Sequence, residues 1–150
     1  MIEGDGTIIV PKQERSTKGI THYPAIEIAF NAKDLPLARV LSQIIGHGLI
    51  PIKEDRSAAL LAIHNVAGLV RVVYLVNGRM RTPKIGALYL LIDWLNTDAR
   101  DCEIQKLPLD YSSIGSNGWL AGFTEGDGSF EGRTTAKSAQ SPPIREWTRT

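Results

Sequence analysis

The tetrapeptide Glu-Gly-Asp-Gly occurs twice in this chain, at Glu3-Gly4-Asp5-Gly6 and at Glu125-Gly126-Asp127-Gly128. Each copy is followed by a hydroxyl residue and an apolar one, Thr7-Ile8 and Ser129-Phe130. The second copy is led in by Gly118-Trp119-Leu120-Ala121-Gly122-Phe123-Thr124, which reads as a short apolar helix stopping in a small-acid-small cluster. A repeat this widely spaced exceeds any solenoid period and reads as a duplicated half-domain. Few features constrain a fold more, because like pieces from opposite ends must share one body. At 150 residues the chain has length for one ordinary core to hold them.

The repeated residues suggest chemistry. In a helix from about Trp119 to Glu125, Gly122 and Gly126 share a face with Trp119. Two helices meeting along such faces approach until their backbones nearly touch. The acid beyond Gly126 then sits at a helix C-terminus, where the macrodipole is already negative. Two such ends side by side are unfavourable unless a cation bridges them. A hard divalent ion such as Mg²⁺ suits that role, since it takes few protein oxygens and keeps waters. Paired carboxylates holding such an ion can activate a water and stabilise the leaving oxygen of a phosphodiester. Asp5 and Asp127 are the candidate ligands, with the carbonyls of Gly4 and Gly126 as further donors. Glu3 and Glu125 lie about 200° round the helix from those acids and are expected to point elsewhere. The competing reading is a plain helix stop and turn. One copy alone favours it. Two copies weigh against it, because a turn need not keep the Glu, both glycines and the Asp together.

Between the copies the patterning alternates. Thr7 to Val10 is β-branched and reads as a strand, limited by Pro11 to an edge. Pro24 precedes a second strand, Ala25 to Phe30, with Ile26, Ile28 and Phe30 on one face. Asp34 is placed to cap a helix with Pro36 in its first turn and a stripe of Leu37, Val40, Leu41, Ile44 and Ile45, ended by Gly46 and Gly48. Leu49 to Lys53 and Ala58 to Ile63 read as a hairpin. Asn65 is placed to cap a helix over Val66 to Val76, stopped by Asn77-Gly78. A basic loop, Arg79 to Lys84, leads to a last helix from about Ile85 to Asn96, apolar at Leu88, Leu91, Ile92 and Leu95.

Composition excludes little. The net charge is +1, and 43% hydrophobic with 22% charged residues is ordinary for a soluble domain. Neither figure announces or forbids nucleic-acid binding. One cysteine, Cys102, rules out an internal disulfide and a multi-cysteine zinc site. The run from Ile85 to Leu95 is too short to cross a bilayer, and no charged-then-apolar leader opens the sequence, so no membrane partner is expected.

Leu120-Ala121-Gly122-Phe123-Thr124-Glu125-Gly126-Asp127-Gly128 resembles the signature nonapeptide of the LAGLIDADG homing endonucleases, and Met1 to Gly6 resembles the last six residues of a first copy. The order of elements between them is similar to that family's half-domain, and Asn77 to Lys84 resembles the segment before the last helices in intron-encoded two-repeat members. The resemblance implies an α/β (α+β) fold in which an antiparallel, saddle-shaped sheet with helices on one face lies over DNA. Residues 1–95 would form a first repeat lacking its first helix, 96–117 a linker, 118–135 the start of a second pseudo-symmetric repeat, and 136–150 a frayed tail. It implies a site-specific, double-strand DNA endonuclease, mitochondrial and organelle-encoded, acting as a two-repeat monomer when complete. Carried over residue by residue, Asp5 and Asp127 bind Mg²⁺ and Lys84 assists hydrolysis. Lys12, Arg15, Lys18 and Arg133 lie on or near strands that would face DNA. Intron RNA is the alternative partner, since related proteins act as maturases. The first motif lacks its Leu-Ala-Gly portion and the second repeat stops about one strand in. Two further readings therefore stay open: an inactive remnant, and an unrelated α/β binding domain in which both acid clusters are turns.

Overall fold

The computed structural model describes residues 2–12, 17–18, 22–51, 58–97 and 102–128. Three strands, β1 (Gly6–Ile9), β2 (Ala25–Asn31) and β3 (Ala58–Ile63), pair antiparallel in that order. Period-two alternation sends Ile26, Ile28 and Phe30 to one face, where Leu61 opposes Ile28 and Ile63 opposes Ile26. All of these are core residues. The other face carries Thr7 and Ile9 of β1, Ala25, Glu27 and Ala29 of β2, and Leu60 and Ala62 of β3. Among them Glu27 is the one charge, on the central strand. The hairpin expected before β3 is reduced, among the described residues, to a single bridge in which Leu49 and Ala62 exchange backbone bonds of 2.8 and 2.9 Å. Pro51, lacking an N–H, cannot extend it. Ile52 to Ser57 fall outside the described residues.

Helix α1 (Leu35–Ile45) starts differently from its sequence pattern. Asn31 accepts a bond from Lys33 N and caps a 3-10 turn over Ala32–Asp34, while Asp34 makes no capping bond with its side chain. Gly46, at φ 75°, ends the helix in the left-handed region that other residues avoid. Only part of the apolar stripe is covered: Ala38 and Ile45 are buried, whereas Leu37, Val40 and Ile44 are 40%, 48% and 58% exposed. Helix α2 (Val66–Val76) begins where Asn65 Oδ1 accepts Gly68 N at 2.6 Å. Helix α3 (Ile85–Thr97) presents Leu88, Leu91, Ile92 and Leu95 to the core, each fully buried. Every such side chain contributes about 1.5–3 kcal/mol, so α3 is the principal anchor of the helical layer.

The stretch after α3, polar and without periodicity, is a fastened strap. Asn96 pairs through its amide with Ile104 N and O, both at 3.0 Å. Asn77 does the same with Leu107 N at 3.0 Å and Gln105 O at 2.7 Å, and Asp110 N donates to Met80 O at 2.8 Å. Tyr89 and the Lys106–Asp93 pair add exposed ties. Side-chain amides thus stand in for a neighbouring strand. The strap delivers the chain to helix α4 (Trp119–Asp127), the second motif.

Candidate active site

Ile2 to Asp5 form a turn that doubles back on β1. A β-carbon on Gly6 would stand 2.5 Å from Ile2 O and 2.7 Å from Ile2 Cα, so only glycine fits. Gly128 is crowded in the same way by Thr124, at 2.5 Å from its O and 2.6 Å from its Cα. In both copies the last glycine lies on the backbone of the residue four before it. The repeat is therefore one of local conformation as well as of sequence.

The two copies come together. A β-carbon on Gly126 would stand 2.6 Å from Asp5 Oδ2 and 3.3 Å from its Cγ. The first motif's carboxylate thus lies on the residue just before Asp127 in the second. Gly122 does not share in this approach, having open space where its β-carbon would be. Asp5 borders a cavity of about 300 Å³ with Asn31, Asp34, Lys33, Glu125 and Gly126. Glu125, expected to point away, faces the same cavity as Asp5. The side chain of Asp127 lies outside the described set.

Lys84 reaches the first motif from the basic loop. Its Nζ donates to Gly4 O at 2.5 Å and Gly6 O at 2.9 Å, the carbonyls on either side of Asp5. Asp5 O accepts Ala29 N at 3.3 Å, tying the turn to β2. Lys12 is exposed beyond β1 and shares a shallow cleft with Ile9, Pro11, His22 and Tyr23. Lys18 is exposed in a turn, and Arg15 and Arg133 lie outside the described residues.

Glu3 was not singled out by sequence reasoning. Its Oε1 accepts Arg81 N at 2.8 Å and Thr82 N at 2.7 Å, and its Oε2 accepts the Trp119 indole N–H. Burial pushes the Glu3 carboxyl up, but hydrogen bonds from Trp119, Arg81 and Thr82 outweigh it and hold the group below the ordinary glutamate range. Arg81 sets its guanidinium 5.6 Å from the Trp119 ring centroid and bonds Asp110 at 2.8 Å and Ser112 O at 2.6 Å. Bonds from Ser112, joined by the Arg81 charge, keep Asp110 below the usual aspartate range. Trp119 stacks on Phe123 at 4.8 Å. The one available sequence signal for Glu3 was its recurrence in both copies.

The model of the LAGLIDADG endonuclease family matches residues 1–95. The chain belongs to the LAGLIDADG endonuclease family. Among curated proteins it is similar to the intron-encoded DNA endonuclease aI3 of Saccharomyces cerevisiae, 38% identical over 87% of this chain and 34% of that protein. An uncharacterised cox1 intron-2 protein of Schizosaccharomyces pombe is 31% identical over 87% of this chain and 37% of its own length. The chain thus spans about a third of the length of both relatives. Among solved structures, the meganuclease I-SmaMI bound to uncleaveable DNA superposes with a TM-score of 0.51 at 19% identity, over 63% of this chain and 35% of that one. That likeness is one of fold: a LAGLIDADG α+β arrangement with an antiparallel sheet and helices on one face. The residues matched by the family model run from the first Glu-Gly-Asp-Gly copy to the end of the buried row of α3, and the second copy lies beyond them on α4.

Proposed function

We propose that this chain is part of a site-specific DNA endonuclease, encoded in a mitochondrial intron, that hydrolyses both strands of a duplex with a divalent metal. One observation carries the reading: the Asp5 carboxylate lies against Gly126, so the acid of one motif meets the end of the other. An exposed carboxylate among oxygen donors, beside a helix C-terminus, has the hardness and charge that Mg²⁺ selects. Asp5 and Asp127 would hold it, and of the two neighbouring carbonyls Gly126 is the better candidate, since Gly4 O already accepts Lys84. The bound ion would supply an activated water and charge for the leaving oxygen.

Lys84 has its own part in this reading. Held between the carbonyls flanking Asp5, its ammonium is a fixed positive charge able to stabilise negative charge growing on a phosphate. The helix-free sheet face would lie over the duplex. Thr7, Ile9 and Ala29 would meet thymine methyls, Glu27 an exocyclic amine, and Lys12 and Lys18 the phosphates. The relatives' intron-encoded names and the DNA in the I-SmaMI complex support the partner and the origin.

Cleavage of a randomised duplex library tests it. Double-strand cuts that need Mg²⁺ and vanish in Asp127→Asn are expected. Cuts that survive Asp127→Asn refute the assignment. RNA binding unchanged by that substitution, with no duplex cut by the unsubstituted chain, selects the intron-RNA alternative instead.

A further inference from the structure

We propose that Glu3 is a positioning residue, fastening the second motif helix to the first motif so that Gly126 is held against the Asp5 carboxylate. The inference rests on the endonuclease reading for its purpose and on the hydrogen bonds for its substance.

Three donors from two separate parts of the chain end on this one carboxylate. Two are backbone N–H groups of the loop before α3, Arg81 and Thr82, and the third is the indole of Trp119 in the first turn of α4. The same loop carries Lys84, which holds the Gly4 and Gly6 carbonyls. Glu3 and Lys84 therefore grip the turn on both sides of Asp5, and only Glu3 also grips α4. Apolar packing does little of this work. None of α4's described side chains is fully buried, Leu120 is exposed, and a cavity of about 200 Å³ lies between Trp119, Gly122 and the body of the fold. With so little area removed from water, charge-assisted bonds carry a large share of the docking. The repeat is asymmetric here. Glu125, the matching residue, is exposed and turned towards the Asp5 cavity. One glutamate has become a fastener and its copy has not.

The chemistry gives a discriminating substitution. Glutamine keeps the shape of Glu3 but has one acceptor oxygen and an NH₂ group. If the oxygen stays on Arg81 and Thr82, the NH₂ faces the Trp119 N–H, donor against donor. If it turns to Trp119, the loop loses both bonds. Trp119→Phe removes the indole donor alone and keeps the ring stacked on Phe123.

In the full chain, Glu3→Gln should move the Trp119 indole ¹H–¹⁵N resonance, identified by its loss in Trp119→Phe. Amide exchange over residues 120–126 should speed up about tenfold or more, as expected for losing a charge-assisted bond. Exchange at Leu88 to Leu95 should not change, which separates undocking of α4 from general unfolding. The double variant Glu3→Gln/Trp119→Phe should be no worse than Trp119→Phe in α4 exchange. An unmoved indole resonance, unchanged exchange in α4, or additive effects in the double variant each overturn the proposal. None of these readouts depends on DNA cleavage. A chain that shows them while its duplex cuts survive Asp127→Asn refutes the endonuclease reading, and with it the catalytic purpose of Glu3, while its fastening role stands.

Discussion

Replacing Gly126 by alanine adds a single methyl group at the point where the two motifs touch. That carbon would stand 2.6 Å from Asp5 Oδ2, against an ordinary C···O approach of about 3.3 Å. The oxygen must therefore retreat by roughly 0.7 Å. The retreat is cheap for the fold, because Oδ2 is the end of a short exposed side chain and a modest χ rotation costs about 0.5–1.5 kcal/mol. Alanine in the last turn of α4 returns about 0.5–1 kcal/mol of helix propensity, so net stability should change by less than about 1 kcal/mol. On the proposed endonuclease reading, catalysis has no such compensation. Reacting groups must be held within about 0.5 Å of their productive geometry, and a displacement near 1 Å costs on the order of a hundredfold. The expected result is a melting temperature within a few degrees of the unsubstituted chain and metal-dependent cleavage lowered about a hundredfold. Gly122→Ala is the control, since open space surrounds that position. It should leave cleavage intact and stabilise α4 slightly. If Gly126→Ala cuts as well as Gly122→Ala, the Asp5–Gly126 contact has no part in catalysis.

Three further outcomes are expected. Gly6→Ala meets backbone rather than a movable side chain, at 2.5 Å from Ile2 O, and should cost about 1–3 kcal/mol in urea unfolding. A loss under about 0.5 kcal/mol would show the turn to be looser than described. Lys84→Met removes both bonds to the carbonyls flanking Asp5; a loss of about 1–3 kcal/mol is expected together with reduced cleavage, and an unchanged unfolding midpoint refutes the tie. Docking of α4 should also weaken in acid. Glu3 has its folded pKa below its ordinary value of 4.5, so its contribution is fully present above that value and disappears as pH falls through the lowered one. Asp110 titrates in the same sense beside Arg81. The part of the tryptophan emission that is lost in Trp119→Phe, followed from pH 6 downwards, should report α4 leaving before the core unfolds. The early step should be absent in Glu3→Gln.

What the sequence made legible were features written locally. Helix α2 runs over the residues its pattern marks, because Asn65 and Gly78 punctuate it within one turn of each end. The buried row of α3 and the inward face of β2 follow from period alone. Period could not say how much of α1 is covered: the helix meets the sheet along Ala38 and Ile45, leaving Leu37, Val40 and Ile44 outside the contact. Nor could it reveal the strap, where amides of Asn77 and Asn96 replace a repeating pattern with single long-range pairs. The candidate site divides the same way. Asp5 was legible because its motif recurs. Glu3 recurs too, yet its partners stand far along the chain, at Arg81, Thr82 and Trp119, and no spacing rule connects them.

The strap has a consequence for how two motif copies find one another. A free linker leaves its ends to meet by diffusion, at an effective concentration that falls with length. Here the chain is pinned at Asn96, Asn77 and Met80 before α4 begins, and Arg81 catches it again at Asp110 and Ser112. Only the few residues from Ser113 to Gly118 separate the last fastening from the motif helix. The arm that swings is thus far shorter than the connection as a whole, and the second copy is launched beside the first. Lengthening this stretch should dilute that encounter steeply, whereas the same insertion between Asp98 and Asp101, upstream of every strap fastening after Asn96, should leave it nearly untouched.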